Sequence, residues 1–257
     1  MEDVVIDVRR IKKIYDQMTD YPVKSLDNVS LQVKNGEFIA IMGPSGSGKT
    51  TLIQCLSTID RPTQGDVFLY GKSIMNLTDQ EMSQFRNQKI GFIFQDYQLL
   101  NYLTIEENIA FPLSMNGKPV KEIKEKIKQV AKDMNLQDIL RKYPGECSGG
   151  QKQRVAIARA LIGQPSIIIA DEPTGNLDSH NTFELMNILK KLNEEDHKTI
   201  VLVTHDVMVA SYASRLLYIQ DGQITNQLHR NQFHSQDEYF INIVKLNSKE
   251  RYMILKH

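Results

Sequence analysis

Cysteine is nearly absent: Cys55 and Cys147 are the only two in 257 residues, and neither has neighbours at metal-ligand spacing. So sparse a supply excludes a disulfide framework and a cysteine zinc site, and predicts two reduced thiols in a reducing compartment. Excess charge is missing as well. Lysine plus arginine total 31 and aspartate plus glutamate 31, for a formal net charge of +0, which argues against a basic nucleic-acid face over the whole protein, though a local patch would not show in that sum. By itself the balance points to no partner, and no nucleic-acid partner is expected. Long apolar runs are lacking too. No segment approaches the roughly 18 uncharged residues that cross a bilayer, and the opening MEDVVIDVRRIKKIYD carries charges where a secretion signal would be apolar. There is no internal repeat and no low-complexity stretch. What is present is a globular chain, 41% hydrophobic, long enough for one large domain or a core with a subdomain.

Short apolar runs punctuate it. VVIDV, FIAIM, IGFIF, IIIAD and TIVLVT are separated by longer helix-like segments, the rhythm of an α/β protein built on a largely parallel, buried sheet. SLDNVSLQVKNGEF and GDVFLYGKSI instead alternate apolar and polar residues and carry Asn35-Gly36 and Tyr70-Gly71 turn signals. These predict an N-terminal antiparallel β layer and a mixed sheet. From about Asp96 to Gly163 the β-rich runs stop, and PVKEIKEKIKQVAKDMNL places Val120, Ile123, Ile127, Val130 and Ala131 on one helical face. The expected organisation is a single domain over 1–257, with an α/β core at 1–95 and 164–222, an inserted helical subdomain at 96–163, and a C-terminal extension at 223–257. In that extension Tyr239, Phe240, Ile243 and Val244 share one helix face, suited either to pack on the core or to dock a partner.

GPSGSGKT, Gly43 to Thr50, follows the apolar FIAIM and precedes the helix-like TTLIQCLSTI. Three glycines and a lysine are poor material for packed structure but suit a P-loop, whose backbone N–H groups wrap a phosphate. Gly43, Gly46 and Gly48 let the backbone turn and approach oxygens, and Pro44, Ser45, Ser47 and Thr51 complete the cradle. Lys49 would reach the β- and γ-phosphates of a nucleotide, and the Thr50 hydroxyl would coordinate the Mg²⁺ that bridges them. A P-loop alone leaves kinases, GTPases, helicases and transport ATPases open.

Further chemistry sits at strand ends. SIIIADEP reads as a buried strand delivering Asp171 and Glu172 at its carboxyl end, where ligands of open α/β sheets bind. Asp171 is expected to hold Mg²⁺, and Glu172 to orient and deprotonate the attacking water. TIVLVTHD places His205 beyond another buried strand, able to donate to the γ-phosphate. IGFIFQDY puts Gln95 at a strand exit, suited to contact Mg²⁺ or water.

CSGGQKQRVAIARAL, Cys147 to Leu161, decides among the P-loop classes because it closely resembles the signature of ATP-binding-cassette (ABC) ATPases. Tyr15, the P-loop, Gln95, the signature, Asp171-Glu172, GNLD ending at Asp178, and His205 stand in that family's order along nearly the whole chain. The resemblance implies an ATP-hydrolysing, Mg²⁺-dependent P-loop fold. It also implies a homodimer in the ATP-bound state, in which Ser148, Gly149, Gly150 and Gln151 of one subunit meet the γ-phosphate held by the other. Asp178 would couple the two sites, and Tyr15 would stack on adenine. Cys147 stands where leucine usually begins the signature, and a small hydrophobe there predicts a modest packing change.

The resemblance also implies an integral-membrane permease partner, with this chain peripheral on the cytoplasmic face. DYQLLNYLTIEENIAFPL is the region the family uses to grip permease helices. Leu99, Leu100, Leu103 and Ile109 suit the subdomain's own core, which leaves Tyr97 and Tyr102 as contact candidates. FIFQDYQLLNYLTIEENI and ASYASRLLYIQDG are similar to bacitracin-type peptide-antibiotic cassettes, whereas ADEPTGNLD and VAIARAL fit macrolide-efflux and lipoprotein-releasing cassettes. A regulatory ABC ATPase acting on a cell-division or cell-wall partner would look much the same.

Overall fold

The computed structural model describes residues 3–16 and 21–254. Along the chain come β1 (Val4–Tyr15), β2 (Val23–Lys34), β3 (Phe38–Met42), α1 (Lys49–Leu56), β4 (Gln64–Leu69) and β5 (Lys72–Ser73). Next are α2 (Asp79–Lys89), β6 (Ile90–Phe94), α3 (Ile105–Met115), α4 (Val120–Asp133) and α5 (Gly149–Leu161). The chain then forms β7 (Ile167–Asp171), α6 (Ser179–Glu194), β8 (Thr199–Val203), α7 (Val207–Ala210), β9 (Arg215–Gln220), β10 (Gln223–His229) and α8 (Gln236–Ile254).

Two sheets result. One is antiparallel with order β2-β1-β4-β5, and the other has order β10-β9-β3-β8-β7-β6, parallel throughout except for the β9–β10 hairpin. Because side chains alternate across a strand, FIAIM feeds two cores at once. Ile39 and Ile41 pack between the sheets with Ile6, Val8 and the α1 residues Leu52, Ile53 and Leu56. Phe38, Ala40 and Met42 face the helical side, with Val155, Leu185, Leu202 and Tyr239. A strand covered on both faces needs an unbroken apolar run, which is what its five buried residues supply.

The register aligns the carboxyl ends of four strands. Ile41 lies opposite Val203, Val203 opposite Asp171, and Asp171 opposite Phe94. The chain therefore leaves β3, β8, β7 and β6 along one edge, at Gly43, Thr204, Glu172 and Gln95.

Several sequence expectations need correction. VVIDV joins the antiparallel sheet as part of β1 and not the parallel one. Asn35-Gly36 carries the chain from one sheet to the other and closes no hairpin, whereas Tyr70-Gly71, both at positive φ, makes the β4–β5 turn as a two-residue hairpin loop should. Residues 223–229, placed in the C-terminal extension, pair with β9 as β10. Val120 is 68% exposed as the first residue of α4, while Ile123, Ile127 and Ala131 face inward. On α8, Tyr239 and Ile243 are fully buried but Val244 is exposed.

Within 96–163, α3, α4 and α5 pack on one another. Buried Asn108 organises the approach to α3: its side chain accepts from the Leu100 N–H (2.8 Å) and donates to the carbonyls of Leu100, Leu103 and Thr104. Ile109 is buried and Leu99 packs against the same core, while Tyr102 is 75% exposed.

Candidate active site

At the end of β3 the backbone is pressed against β9. A Cβ on Gly43 would sit 2.0 Å from the Ile219 carbonyl oxygen, so no other residue fits without moving a strand. Gly48 caps α1 at φ 100, a left-handed conformation that glycine adopts without steric cost. Helix α1 has no side-chain cap and no acid in its first turn. Its leading N–H groups and positive dipole end are thereby left to an external anion. The Ser47 N–H donates to the Pro44 carbonyl (3.3 Å), and the buried Ser47 Oγ has no partner among the described residues. Lys49 Nζ donates to the carbonyls of Gly43 (3.0 Å) and Pro44 (2.7 Å). Glycine backbone, uncapped helix and half-buried ammonium together fit a polyphosphate.

Lys49 faces the two carboxylates. Burial pulls its ammonium below the usual lysine range, and the charges of Glu172 and Asp171 oppose that pull. Burial raises the Asp171 carboxyl, the Glu172 charge raises it further, and Lys49 acts against both. Glu172 adopts φ 46 with its N–H donating to the Val203 carbonyl (2.9 Å), which turns its side chain out of the strand. Its Oε2 lies 2.7 Å from His205 Nδ1. Gly43, Pro44, Ser45, Lys49, Glu172 and His205 line one cavity of about 320 Å³, with Tyr218 and Asn247 completing the wall.

Gln95 packs on the turn after Glu172: a Cβ on Gly175 would lie 2.9 Å from Gln95 Nε2. Asn176 Nδ2 donates to the Gln95 carbonyl (3.2 Å) and to Asp96 Oδ1 (3.1 Å). From the other side, Arg159 of α5 donates to the carbonyls of Gln98 (2.5 Å) and Tyr97 (2.7 Å), and burial lowers its guanidinium's proton affinity. Tyr15 lies against α1. Its hydroxyl is 3.4 Å from Gln54 Oε1 and 3.3 Å from Asp60 Oδ2, and burial raises its pKa against a hydrogen bond from Thr51.

The signature stands apart from that cavity, since none of its residues lines it. Ser148 caps α5, its Oγ accepting from the Gln151 N–H (3.3 Å) while Gln151 Oε1 accepts from the Ser148 N–H (2.9 Å), a reciprocal capping box. Asp178 caps α6. Its carboxylate accepts from the Asn181 backbone (2.8 Å) and side chain (2.7 Å), and these bonds hold it below the usual aspartate range. A Cβ on Gly150 would lie 2.3 Å from Asn181 Oδ1. The start of the signature helix thus rests on the residue that fixes Asp178. Cys147 is buried, its Sγ 3.6 Å from the Tyr143 carbonyl, and burial raises its thiol. Cys55 is buried too, its thiol pushed up to about 12. Asn176, Asn181, Arg159 and Asn247 escaped the sequence reading.

A parallel sheet with a phosphate loop, paired carboxylates and a histidine along one edge defines a P-loop nucleoside triphosphatase, and the capped glycine-rich helix adds the cassette signature. The chain belongs to the ABC transporter family, whose profile matches residues 26–175. It is 50% identical over 220 residues to the bacitracin export ATP-binding protein BceA of Halalkalibacterium halodurans, covering 86% of this chain and 87% of that one. To the lipoprotein-releasing system ATP-binding protein LolD of Aquifex aeolicus it is 44% identical over 224 residues, covering 87% and 99%. The dimeric post-hydrolysis state of a Methanocaldococcus jannaschii ATP-binding cassette, bound to ADP and Pi, matches with a TM-score of 0.81 at 40% identity, covering 87% of this chain and 98% of that one. The protein is an ABC transporter ATP-binding subunit, an ATPase that uses ATP with Mg²⁺. Among the described residues no helix is long and apolar enough to cross a membrane.

Proposed function

We propose that this subunit hydrolyses ATP to drive a membrane permease that expels or detaches a bacitracin-type antimicrobial peptide. The observation that carries the ATPase chemistry is the cavity shared by Lys49, Glu172 and His205 at the phosphate loop. Lys49 and the amides opening α1 neutralise the phosphates, Glu172 accepts a proton from the attacking water, and His205 holds Glu172 in place while facing the terminal phosphate. Mg²⁺ supplies charge neutralisation between the phosphates when bound, and Thr50, Gln95 and Asp171 would hold it. Among the described residues no three acidic, histidine or cysteine groups form a cluster that could hold a metal, which suits an ion bound largely through substrate oxygens.

Tyr15, beside Thr51, would carry the adenine. Two copies would pair with Ser148, Gly149, Gly150 and Gln151 of one meeting the γ-phosphate bound by the other, and Asp178 coupling the sites. The chain would lie on the cytoplasmic face, held by its permease through the 96–113 segment, with Tyr97 and Tyr102 as the contact candidates, of which Tyr102 is exposed. Likeness to a bacitracin export protein supports the peptide substrate. To test it, the chain is isolated from native membranes with its permease, reconstituted in vesicles, and its ATP hydrolysis measured with added bacitracin. Stimulation by bacitracin supports the reading. Stimulation by a lipoprotein or a macrolide, with no response to bacitracin, would reject that substrate.

A further inference from the structure

Helix α8 brings a polar residue to the phosphate cavity by a route the ATPase chemistry does not require. Tyr239, Ile243 and Asn247 recur every four residues, so they share one face of the helix. The first two are fully buried in the core that includes Ala40, Ala210 and Tyr218, and Leu246 packs against that core. The stripe then changes character: its third member is an amide, and it lines the cavity of Lys49, Glu172 and His205. On the same helix Asn242 donates its amide to the Glu238 carbonyl (2.8 Å), whereas the Asn247 side chain has no hydrogen-bond partner among the described residues.

We infer that Asn247 is a further contact of the terminal phosphate of ATP, which makes the C-terminal helix part of the nucleotide site. The inference rests on reading that cavity as the nucleotide site. The chemistry suits the role. An asparagine amide offers two N–H donors without charge, and a hydrogen bond to an anionic oxygen is stronger than one between neutral groups. The anchor is firm, since Tyr239 and Ile243 fix the helix one and two turns before Asn247. With the terminal phosphate placed beside Glu172 and His205, which line the same cavity as Asn247, the contact would discriminate ATP from ADP.

Equilibrium binding of Mg²⁺ with ADP, and with a non-hydrolysable β,γ-imido ATP analogue, tests this in the full chain. Asn247→Ala should weaken the triphosphate analogue about tenfold while ADP stays within about twofold. Asn247→Asp, which turns a carboxylate toward the phosphate, should weaken the analogue further and again spare ADP. Unchanged binding of both nucleotides overturns the inference, and so does equal weakening of both, which would make α8 a structural support only. A wild-type chain that binds neither nucleotide would instead reject the nucleotide reading of the cavity itself.

Discussion

His205 Nδ1 and Glu172 Oε2 are 2.7 Å apart, so the imidazole and the carboxylate at the phosphate loop form a pair. One member leaves β7 with φ 46, the other follows β8, and the level strand register brings them together. Removing the basic oxygen should therefore separate chemistry from binding. Glu172→Gln is expected to lower ATP turnover about a hundredfold or more, as loss of general-base catalysis does, while ATP binding and ATP-dependent dimers persist. Steady-state hydrolysis and size-exclusion chromatography with ATP check both halves, and a variant that hydrolyses normally would remove Glu172 from the role of base.

Asp171 is held at a cost to the fold. Its pKa is raised in the folded state by burial first and by Glu172 second, so the folded state favours the protonated carboxyl. A group raised in this way stabilises below its unfolded value, and that stability is lost as pH rises through the folded value. Asp171→Asn should accordingly raise the melting temperature of the nucleotide-free protein near neutral pH, and the gain should vanish below about pH 4. The same variant should lose Mg²⁺-dependent hydrolysis. Thermal denaturation across that pH range is the measurement.

How much of this was legible in the residues depends on the kind of signal. β3, β7 and β8 are continuous apolar runs ending in Gly43, Asp171-Glu172 and His205, and a buried parallel strand leaves that trace. β10 left almost none: QITNQLH is mostly polar and only partly buried. Its one cue is Asp221-Gly222, both at positive φ, a hairpin dipeptide. Asn35-Gly36 misled in the opposite sense, because a turn signal does not say whether the next strand pairs with the last. Asn176, Asn181 and Arg159 act on partners 3 to 81 residues away, and single polar residues carry no periodicity to announce them.

Arg159 is satisfied by two carbonyls, Tyr97 at 2.7 Å and Gln98 at 2.5 Å. Arg159→Lys keeps the charge but cannot reach both acceptors with one fork. It should cost about 0.5–1.5 kcal/mol through the loss of one hydrogen bond to a part-buried or exposed carbonyl, read as a lower denaturant midpoint with an unchanged slope.

Gly150 has no room for a side chain, since Asn181 Oδ1 would lie 2.3 Å from its Cβ. Gly150→Ala should push Asn181 off Asp178 and weaken ATP-dependent dimerisation in the Glu172→Gln background. Adding Asn181→Ala should change dimerisation little further, because the side-chain bond to Asp178 is already broken. Sedimentation of the two variants compares them, and full additivity would show that the residues act separately.

The segment from Gln95 to Gln98 is held from two directions, by Asn176 of the core at 3.1 and 3.2 Å and by Arg159 of the helical unit at 2.5 and 2.7 Å. The two grips are unequal. Asn176 is exposed at the surface, where water can replace its bonds at little loss, whereas the charged fork of Arg159 has no equal substitute. If the two halves of the protein swing relative to each other, the seam opens on the Asn176 side. The passage from Asp96 onward then travels with the signature helix, like a door frame that leaves with the door.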